Sequence, residues 1–238
     1  MLSFSIPRIT ADRIARLGLA CDTSTPSGTL NHIGIRATTS AVRFSATNGR
    51  ILASLLVPVD DIEGTPGDLI LDREQFTAAL KATAKVAGGR IQVRIDDQEA
   101  RLTNGTAAAV VRRVSGTYPN VDHVWTRPSG RRWVPTMSCL DPNLVGIAQK
   151  VSGNKAALLF ASPMEPGARL ERLWAVPGAA LDETVCLTDL RAAITAPAYW
   201  ADHELAFLVM PITRGDAERQ LDFSQHALAL PQLVAAAA

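Results

Sequence analysis

The chain has 238 residues, of which 47% are hydrophobic and 20% are charged, a composition typical of soluble globular proteins with one large domain or two of about 110 residues. No apolar run approaches the roughly 18 residues of a membrane span, and the N-terminus lacks a secretory signal, so we expect a cytoplasmic protein with no membrane partner. The formal net charge of +1 excludes nucleic-acid binding through an overall basic field, and the three scattered cysteines argue against a disulfide framework or a paired-thiolate zinc site.

Helical and strand periodicities alternate in the first half of the chain. Between Ala11 and Cys21, the apolar residues Ile14, Leu17 and Cys21 share one face, which predicts an amphipathic helix. Apolar and polar residues then alternate over 33–37 and 42–46, as in half-buried antiparallel strands. The Asn48-Gly49 pair predicts a tight turn before a further strand over 51–59.

A second helix is predicted to begin at Asp72. The Asp72 side chain can cap the free N–H groups, and Gln75 can reach back as in a capping box. Its inward-facing residues are predicted to be Phe76, Ala79, Leu80 and Thr83, and Gly88-Gly89 is expected to end it. The alternation over 91–95 and 100–102 predicts a hairpin that turns at Asp96-Asp97.

The second half is predicted to repeat this order after a linker at 128–132. Asp141-Pro142 offers an N-cap and a first-turn proline for a third helix. The apolar stripe of that helix is Leu144, Ile147, Ala148 and Val151, and a shorter fourth helix is predicted to start at Thr188. We therefore predict an α+β protein with two domains, residues 1–122 and 123–214, followed by a flexible polar tail at 215–238.

Four short segments carry the strongest functional signal, and they occur in a fixed order: Leu30-Asn31, Ala46-Thr47-Asn48-Gly49-Arg50-Ile51-Leu52-Ala53, Gly116-Thr117-Tyr118-Pro119 and Val209-Met210-Pro211-Ile212. In this order they resemble the segments Leu-Asn, Ala-Thr-Asp-Gly-His-Arg-Leu-Ala, Gly-x-Phe/Tyr-Pro and Val-Met-Pro-Met of the beta subunit of bacterial DNA polymerase III, the ring-shaped DNA sliding clamp. The chain departs from that pattern at Asn48, Arg50, Ile51 and Ile212, where the clamp has Asp, His, Arg and Met.

The resemblance implies the DNA-clamp fold, with two similar domains that each place antiparallel sheets outside and two helices inside. In the clamp family the four segments belong to the middle and last of three domains. Clamp rings contain six such domains, so a two-domain subunit is expected to close as a head-to-tail homotrimer. Pairing across these contacts would also satisfy the unpaired edge strands at each end of the subunit.

The resemblance further implies an apolar pocket that binds short peptides of DNA polymerases and clamp loaders. A concavity lined by Leu, Met, Ile and Pro can seat one or two peptide anchors while backbone groups fix the orientation. The alternative is that these are ordinary core and turn residues. The residues at the matching positions are Leu30, Thr47, Gly49, Arg50, Leu52, Pro119, His123, Val124, Leu208, Met210, Pro211 and Ile212.

Double-stranded DNA is the second implied partner, held by the helices that line the ring. A sliding clamp needs phosphate contacts that are independent of sequence and bridged by water, which basic residues outside each apolar stripe can supply. For any single residue a merely solvated face is the alternative; the recurrence on several helices favours the set. The candidates are Arg13, Arg16, Lys81, Lys85, Lys150 and Arg191.

The sequence gives no support for catalysis, and we predict no cofactor, metal or enzymatic activity. The four histidines lack metal-ligand spacing, and neither a nucleophile elbow nor a phosphate-binding loop is present. The main hypothesis is a DNA sliding clamp, a processivity factor that encircles duplex DNA and tethers a polymerase. The alternatives are a clamp-fold peptide-binding adaptor or decoy that does not encircle DNA, and an enzyme whose site is unrecognised.

The tail contains one further motif, Gln220-Leu221-Asp222-Phe223. It resembles the Gln-Leu-Asp/Ser-Leu-Phe peptide that partners present to bacterial clamps, with one residue missing. The tail is predicted either to engage a clamp pocket or to be inert.

Overall fold

The structure is a computed structural model that describes residues 1–25, 28–121, 132–135, 140–153, 161–164, 198–201 and 205–209. Within these ranges the α-helices are α1 (Arg8–Leu17), α2 (Arg73–Ala84) and α3 (Pro142–Ser152). The strands are β1 (Leu2–Pro7), β2 (Ile33–Ala37), β3 (Ala41–Thr47), β4 (Ile51–Pro58), β5 (Glu63–Gly64), β6 (Asp68–Leu71), β7 (Arg90–Ile95), β8 (Glu99–Asn104), β9 (Ala107–Arg112), β10 (Arg132–Pro135), β11 (Ala161–Met164), β12 (Ala198–Ala201) and β13 (Leu205–Val209).

The chain divides into two compact units. Unit 1 contains residues 1–126, 142–158 and 199–209, and unit 2 contains residues 127–141, 159–198 and 210–238. In the described part of unit 2, β10 and β11 pair antiparallel with Arg132 opposite Met164. Helix α3, which the sequence assigned to the second domain, lies in unit 1. The domain boundaries drawn from the sequence stay a prediction.

Two antiparallel sheets form the framework of unit 1. Sheet 1 has the strand order β5-β1-β7-β8-β9, and sheet 2 contains the order β12-β13-β4-β3-β2-β6. Hairpins join β2 to β3, β3 to β4 and β7 to β8, as the alternating sequence pattern predicts. Strands β1, β5, β6, β9 and β12 were not predicted.

The core of unit 1 lies where the two sheets meet the helices. Phe44 of sheet 2 contacts Phe4 of sheet 1 edge-to-face, with ring centroids 6.4 Å apart. Phe44 also stacks on Phe76 of α2 at 6.1 Å. All three rings are fully buried, so the apolar faces of both sheets and of α2 share one core.

Helix α1 begins at Arg8, three residues before the predicted start, and continues as a short 3-10 helix to Ala20. Its buried residues include Ile14 and Leu17, which confirms the predicted apolar face. Helix α3 also has the predicted stripe, with Leu144, Ala148 and Val151 buried and Ile147 half-buried. None of the helices in the described ranges is long and apolar enough to cross a membrane.

Helix α2 starts at the predicted cap. The Asp72 carboxylate accepts hydrogen bonds from the backbone N–H groups of Glu74 and Gln75 at 3.1 and 3.0 Å. The predicted capping box is wrong in its second half, because the Gln75 side chain accepts from the Arg112 N–H at 2.8 Å. The Asp72 N–H instead donates to the Arg112 carbonyl at 3.1 Å, so the first turn of α2 is fastened to β9. The helix ends at Ala84, four residues before Gly88-Gly89.

Candidate functional site

The turn between β3 and β4 is held by its own side chains. The Asn48 side-chain oxygen accepts from the N–H groups of Arg50 and Ile51, both at 2.9 Å. The Thr47 hydroxyl donates to the Ile51 carbonyl at 2.7 Å and accepts from the Gly49 N–H at 3.1 Å. Gly49 has a φ of +84°, a conformation that favours glycine. The Asn48 side chain therefore accepts the hydrogen bonds of the turn, as the Asp at this position of the clamp pattern can. Arg50 is exposed at the tip of the turn.

This turn lies beside the start of the fourth segment. Thr47 of β3 is opposite Leu52 of β4, and Leu52 is opposite Leu208 of β13. Val209 is in turn opposite Ile51. Thr47 and Leu52 are buried, with 8% and 5% of their surfaces exposed. The second and fourth segments are therefore neighbours at one end of sheet 2.

The third segment covers one face of the same sheet. The Tyr118 hydroxyl donates to the Ser45 carbonyl at 3.1 Å, and a Cβ placed on Gly34 would be only 2.5 Å from a Tyr118 ring carbon. Burial raises the pKa of the Tyr118 phenol, so it stays a protonated donor. Pro119 follows at an exposed position.

The first segment lies beside the third. Gly116 has a φ of +128°, and a Cβ placed there would be 3.1 Å from the Thr29 methyl group. Thr29 and the half-buried Leu30 belong to a short 3-10 helix that precedes β2. All three segments that the structure describes in full therefore meet around one end of sheet 2.

The second and third segments have side chains on the face of sheet 2 that points away from the shared core. Along β3, Phe44 and Ala46 are buried on the core side, so by alternation Ser45 and Thr47 point to the opposite face. Because Thr47 is opposite Leu52, the Leu52 side chain points to that same face. Tyr118 and two candidate pocket residues thus share one surface of unit 1.

The predicted pocket is divided between residues that the structure describes and residues outside the described ranges. The described residues include Leu30, Thr47, Gly49, Arg50, Leu52 and Pro119, together with the backbone of Leu208. Five other candidates, and the predicted DNA-facing Arg191, lie outside the described residues: His123, Val124, Met210, Pro211 and Ile212. The fourth helix expected after Thr188 and the Gln220–Phe223 motif also lie outside them.

The candidate DNA-facing residues that the structure describes lie on the three helices or, for Lys85, at the C-cap of α2, and they differ in environment. Lys81, Lys85 and Lys150 are exposed, whereas Arg13 and Arg16 are half-buried. The Arg16 guanidinium donates to the Asp12 carboxylate one turn earlier. Arg16 also lies against Gly153 at the end of α3, where an added Cβ would overlap its guanidinium.

The buried titratable groups of this region favour a structural role. Burial lowers the pKa of His32 and raises the pKa of the Cys21 thiol to about 12, so both side chains are neutral at pH 7. The Cys21 thiol donates to the His32 carbonyl. In the described ranges, no group of three or more His, Cys, Asp or Glu side chains is arranged to hold a metal ion.

Solved structures of similar fold include two DNA polymerase III beta subunits. The subunit from Thermotoga maritima superposes with a TM-score of 0.59 at 7% sequence identity, covering 92% of this chain and 67% of that one. The Pseudomonas aeruginosa subunit gives a TM-score of 0.58 at 17% identity, covering 90% and 67%. The chain has the sliding-clamp fold.

A further structure with this fold is the sliding clamp of Pseudomonas aeruginosa bound to griselimycin. Its TM-score is 0.57 at 16% identity, and the match covers 89% of this chain and 65% of that clamp. The chain therefore spans about two thirds of the length of the clamps that it matches. No model of a known protein family matches the sequence, and no curated protein matches it.

Proposed function

We propose that the chain is a DNA sliding clamp: a non-enzymatic processivity factor that encircles duplex DNA and tethers a DNA polymerase through a peptide-binding pocket. The observation that supports this proposal is that the clamp-like segments, over the residues that the structure describes, lie close together at one end of sheet 2, within a chain that has the sliding-clamp fold. Motifs that were recognised only by their order in sequence are neighbours in space, as a shared binding site requires.

The pocket is proposed to bind peptides of a polymerase and of a clamp loader. Leu52 and the methyl group of Thr47 supply an apolar floor, and Leu208 is paired with Leu52 on the neighbouring strand. Pro119 and Arg50 are exposed, at positions from which they can contact a partner. A few apolar anchors of a short peptide can dominate binding to such a site. The griselimycin-bound Pseudomonas aeruginosa clamp supports testing griselimycin as a competitor.

Peptide binding is tested with a fluorescent peptide that contains the Gln-Leu-Ser-Leu-Phe motif. Met210→Glu is expected to abolish binding while the oligomer is retained. Leu52→Asp is expected to abolish binding and also to lower the thermal unfolding midpoint, because Leu52 is only 5% exposed and an unpaired charge is costly to bury. Leu56→Asp is the matched control, since Leu56 is on the same strand and 46% exposed. If the folded Met210→Glu variant binds the peptide as the wild type does, the pocket assignment is wrong.

The ring is proposed to be a head-to-tail homotrimer of the 238-residue chain. Two clamp domains per chain make six domains in three copies, and heterologous contacts that return on themselves close a ring. Light scattering is expected to give three times the 25.4 kDa of one chain. A single copy at micromolar concentration would contradict the ring and favour the peptide-binding adaptor instead.

A further inference from the structure

The dipeptide Asn-Gly occurs twice in the chain, and both copies follow a threonine: Thr47-Asn48-Gly49 and Thr103-Asn104-Gly105. This dipeptide is chemically labile, because glycine has no side chain to hinder the attack of its backbone nitrogen on the amide carbon of the asparagine. Since the two copies have the same local sequence, a difference in their reactivity must come from the fold.

At the first copy, the amide oxygen is held and the amide nitrogen is not. Asn48 Oδ1 accepts hydrogen bonds from the backbone N–H groups of Arg50 and Ile51, both at 2.9 Å. Among the residues that the structure describes, none accepts a hydrogen bond from Asn48 Nδ2. Gly49 is exposed, and a Cβ placed on it would meet nothing within 4 Å. Water therefore reaches the turn from the Gly49 side.

At the second copy, the amide nitrogen is the group that is held. Asn104 is 5% exposed, and its Nδ2 donates to the Thr83 and Val86 carbonyls at 3.0 and 3.2 Å. Loss of this nitrogen would leave both carbonyls, at the C-terminal end of α2, without their donor. Reaction at Asn104 therefore requires local opening of the structure around it.

We propose that Asn48 is a site of spontaneous deamidation in the folded protein, whereas Asn104 is protected. The Gly49 backbone nitrogen forms a bond to Asn48 Cγ, and the Cγ–Nδ2 bond breaks. The proton that the Gly49 nitrogen loses leaves with Nδ2 as ammonia, and a five-membered succinimide ring remains. A water molecule from solvent then opens the ring at either carbonyl, which gives aspartate or isoaspartate.

The turn holds groups that act for and against this attack. Negative charge develops on Asn48 Oδ1 as the ring closes, and the Arg50 and Ile51 N–H groups already point at that oxygen, as donors do in an oxyanion hole. The hydrogen bond from the Gly49 N–H to the Thr47 hydroxyl, at 3.1 Å, has to break first. We therefore expect Asn48 to react in the folded protein, but more slowly than in the unfolded chain.

The two products differ in their effect on the turn. Aspartate keeps a side-chain oxygen that can accept the same two N–H groups. Isoaspartate leads the main chain through the former side chain, which lengthens the turn by a methylene group and removes that acceptor. The pairing of Thr47 with Leu52 is then disturbed. A resulting loss of peptide binding rests on the proposed function, whereas the chemical step does not.

The test is peptide mapping of the folded protein after incubation at mildly alkaline pH, beside a sample unfolded in urea. Trypsin releases residues 44–50 and 102–112 as separate peptides with a single asparagine each, and mass spectrometry measures the conversion of amide to acid. In the folded protein Asn48 is expected to convert at least about tenfold faster than Asn104, because a buried site reacts only through its open fraction. In urea the two rates are expected to be similar.

Equal rates in the folded protein, or no conversion of Asn48, would overturn the inference. A tenfold difference that persists in urea would also overturn it, because the fold would not be the cause. Ion exchange then isolates the modified protein, since each product carries an additional negative charge. Its loss of affinity for the fluorescent peptide is expected to follow the share of isoaspartate in the 44–50 peptide, and full affinity at a high share would contradict the effect on the pocket. If the unmodified protein does not bind the peptide, the proposed function fails while the result for Asn48 stands.

Discussion

Gly34 is required because the Tyr118 ring packs directly on its backbone. A Cβ at this position would be 2.5 Å from the ring, so we expect Gly34→Ala to displace Tyr118 and to destabilise the fold by about 1–3 kcal/mol, as overpacking does. Urea unfolding measures this loss, and weaker peptide binding is expected with it. In a Tyr118→Ala background the same glycine change should cost much less. An equal cost in both backgrounds would show that the ring is not the cause.

His32 gives the fold a pH dependence of known sign. The side chain is 7% exposed, and burial lowers its pKa below the ordinary value of 6.5, although the Asp72 carboxylate opposes this and the Arg112 and Arg73 cations add to it. The unfolded chain therefore binds a proton at His32 more tightly than the folded protein does. The contribution of neutral His32 to the free energy of unfolding is complete above pH 6.5 and is lost as pH falls through the folded-state pKa of His32.

We accordingly expect the free energy of unfolding to decrease between about pH 7 and pH 5 and this decrease to be smaller in His32→Gln. Urea unfolding at a series of pH values measures both slopes. The lowered carboxyl pKa of Asp61, which Ser5 and Arg90 hold ionised against the effect of its burial, acts at lower pH. Identical slopes for wild type and variant would contradict the assignment to His32.

At the scale of the element, α2 depends on its cap. Asp72→Ala removes the acceptor of two backbone hydrogen bonds and is expected to destabilise the fold by about 1 kcal/mol. Asp72→Asn keeps an acceptor oxygen in the same place and should retain most of the stability. Thermal unfolding of the two variants separates the effect of capping from the effect of charge. An equal loss of stability in Asp72→Asn and Asp72→Ala would assign the effect to the ion pair of Asp72 with Arg112, whose charged atoms are 3.3 Å apart.

Elements with strong local signals were predictable from the sequence. The β2–β3 and β7–β8 hairpins alternate apolar and polar residues, and the Asn48-Gly49 pair marks the turn before β4. The Asp72 cap and the Asp141-Pro142 pair mark the starts of α2 and α3. Strand β9 has the sequence Ala-Ala-Ala-Val-Val-Arg, which has little intrinsic strand preference and owes its conformation to pairing with β8. Gln75 departs from the capping box for a related reason, since Arg112 is distant in sequence and competes for its side chain.

For the molecule as a whole, the sequence was most informative about turns and least informative about contacts between segments. The Asn48-Gly49 turn follows from side-chain chemistry within four residues, so it was predictable. The packing of Tyr118 on Gly34 joins residues that are 84 positions apart, and no local pattern encodes it. The peptide pocket itself stays a prediction.

Ring closure makes a prediction about β9, the edge of sheet 1 opposite β5. The Arg112 N–H points away from β8, because it donates to Gln75, so by alternation the Val110 N–H also faces the open edge. Val110 is 50% exposed. Among the strands that the structure describes, β9 has no partner on this side, and an edge of this kind is suited to pairing with a strand of the next subunit.

We therefore expect Val110→Lys to reduce the mass in light scattering from three copies to one, because a charge on an edge strand blocks pairing. The unfolding midpoint of the dissociated chain should change little, since the side chain is half-exposed. Leu56→Lys introduces the same charge at a side chain that is 46% exposed on sheet 2 and should leave three copies. A trimer that persists in Val110→Lys would show that the ring closes through another edge, whereas loss of the trimer in both variants would point to a general effect of added charge.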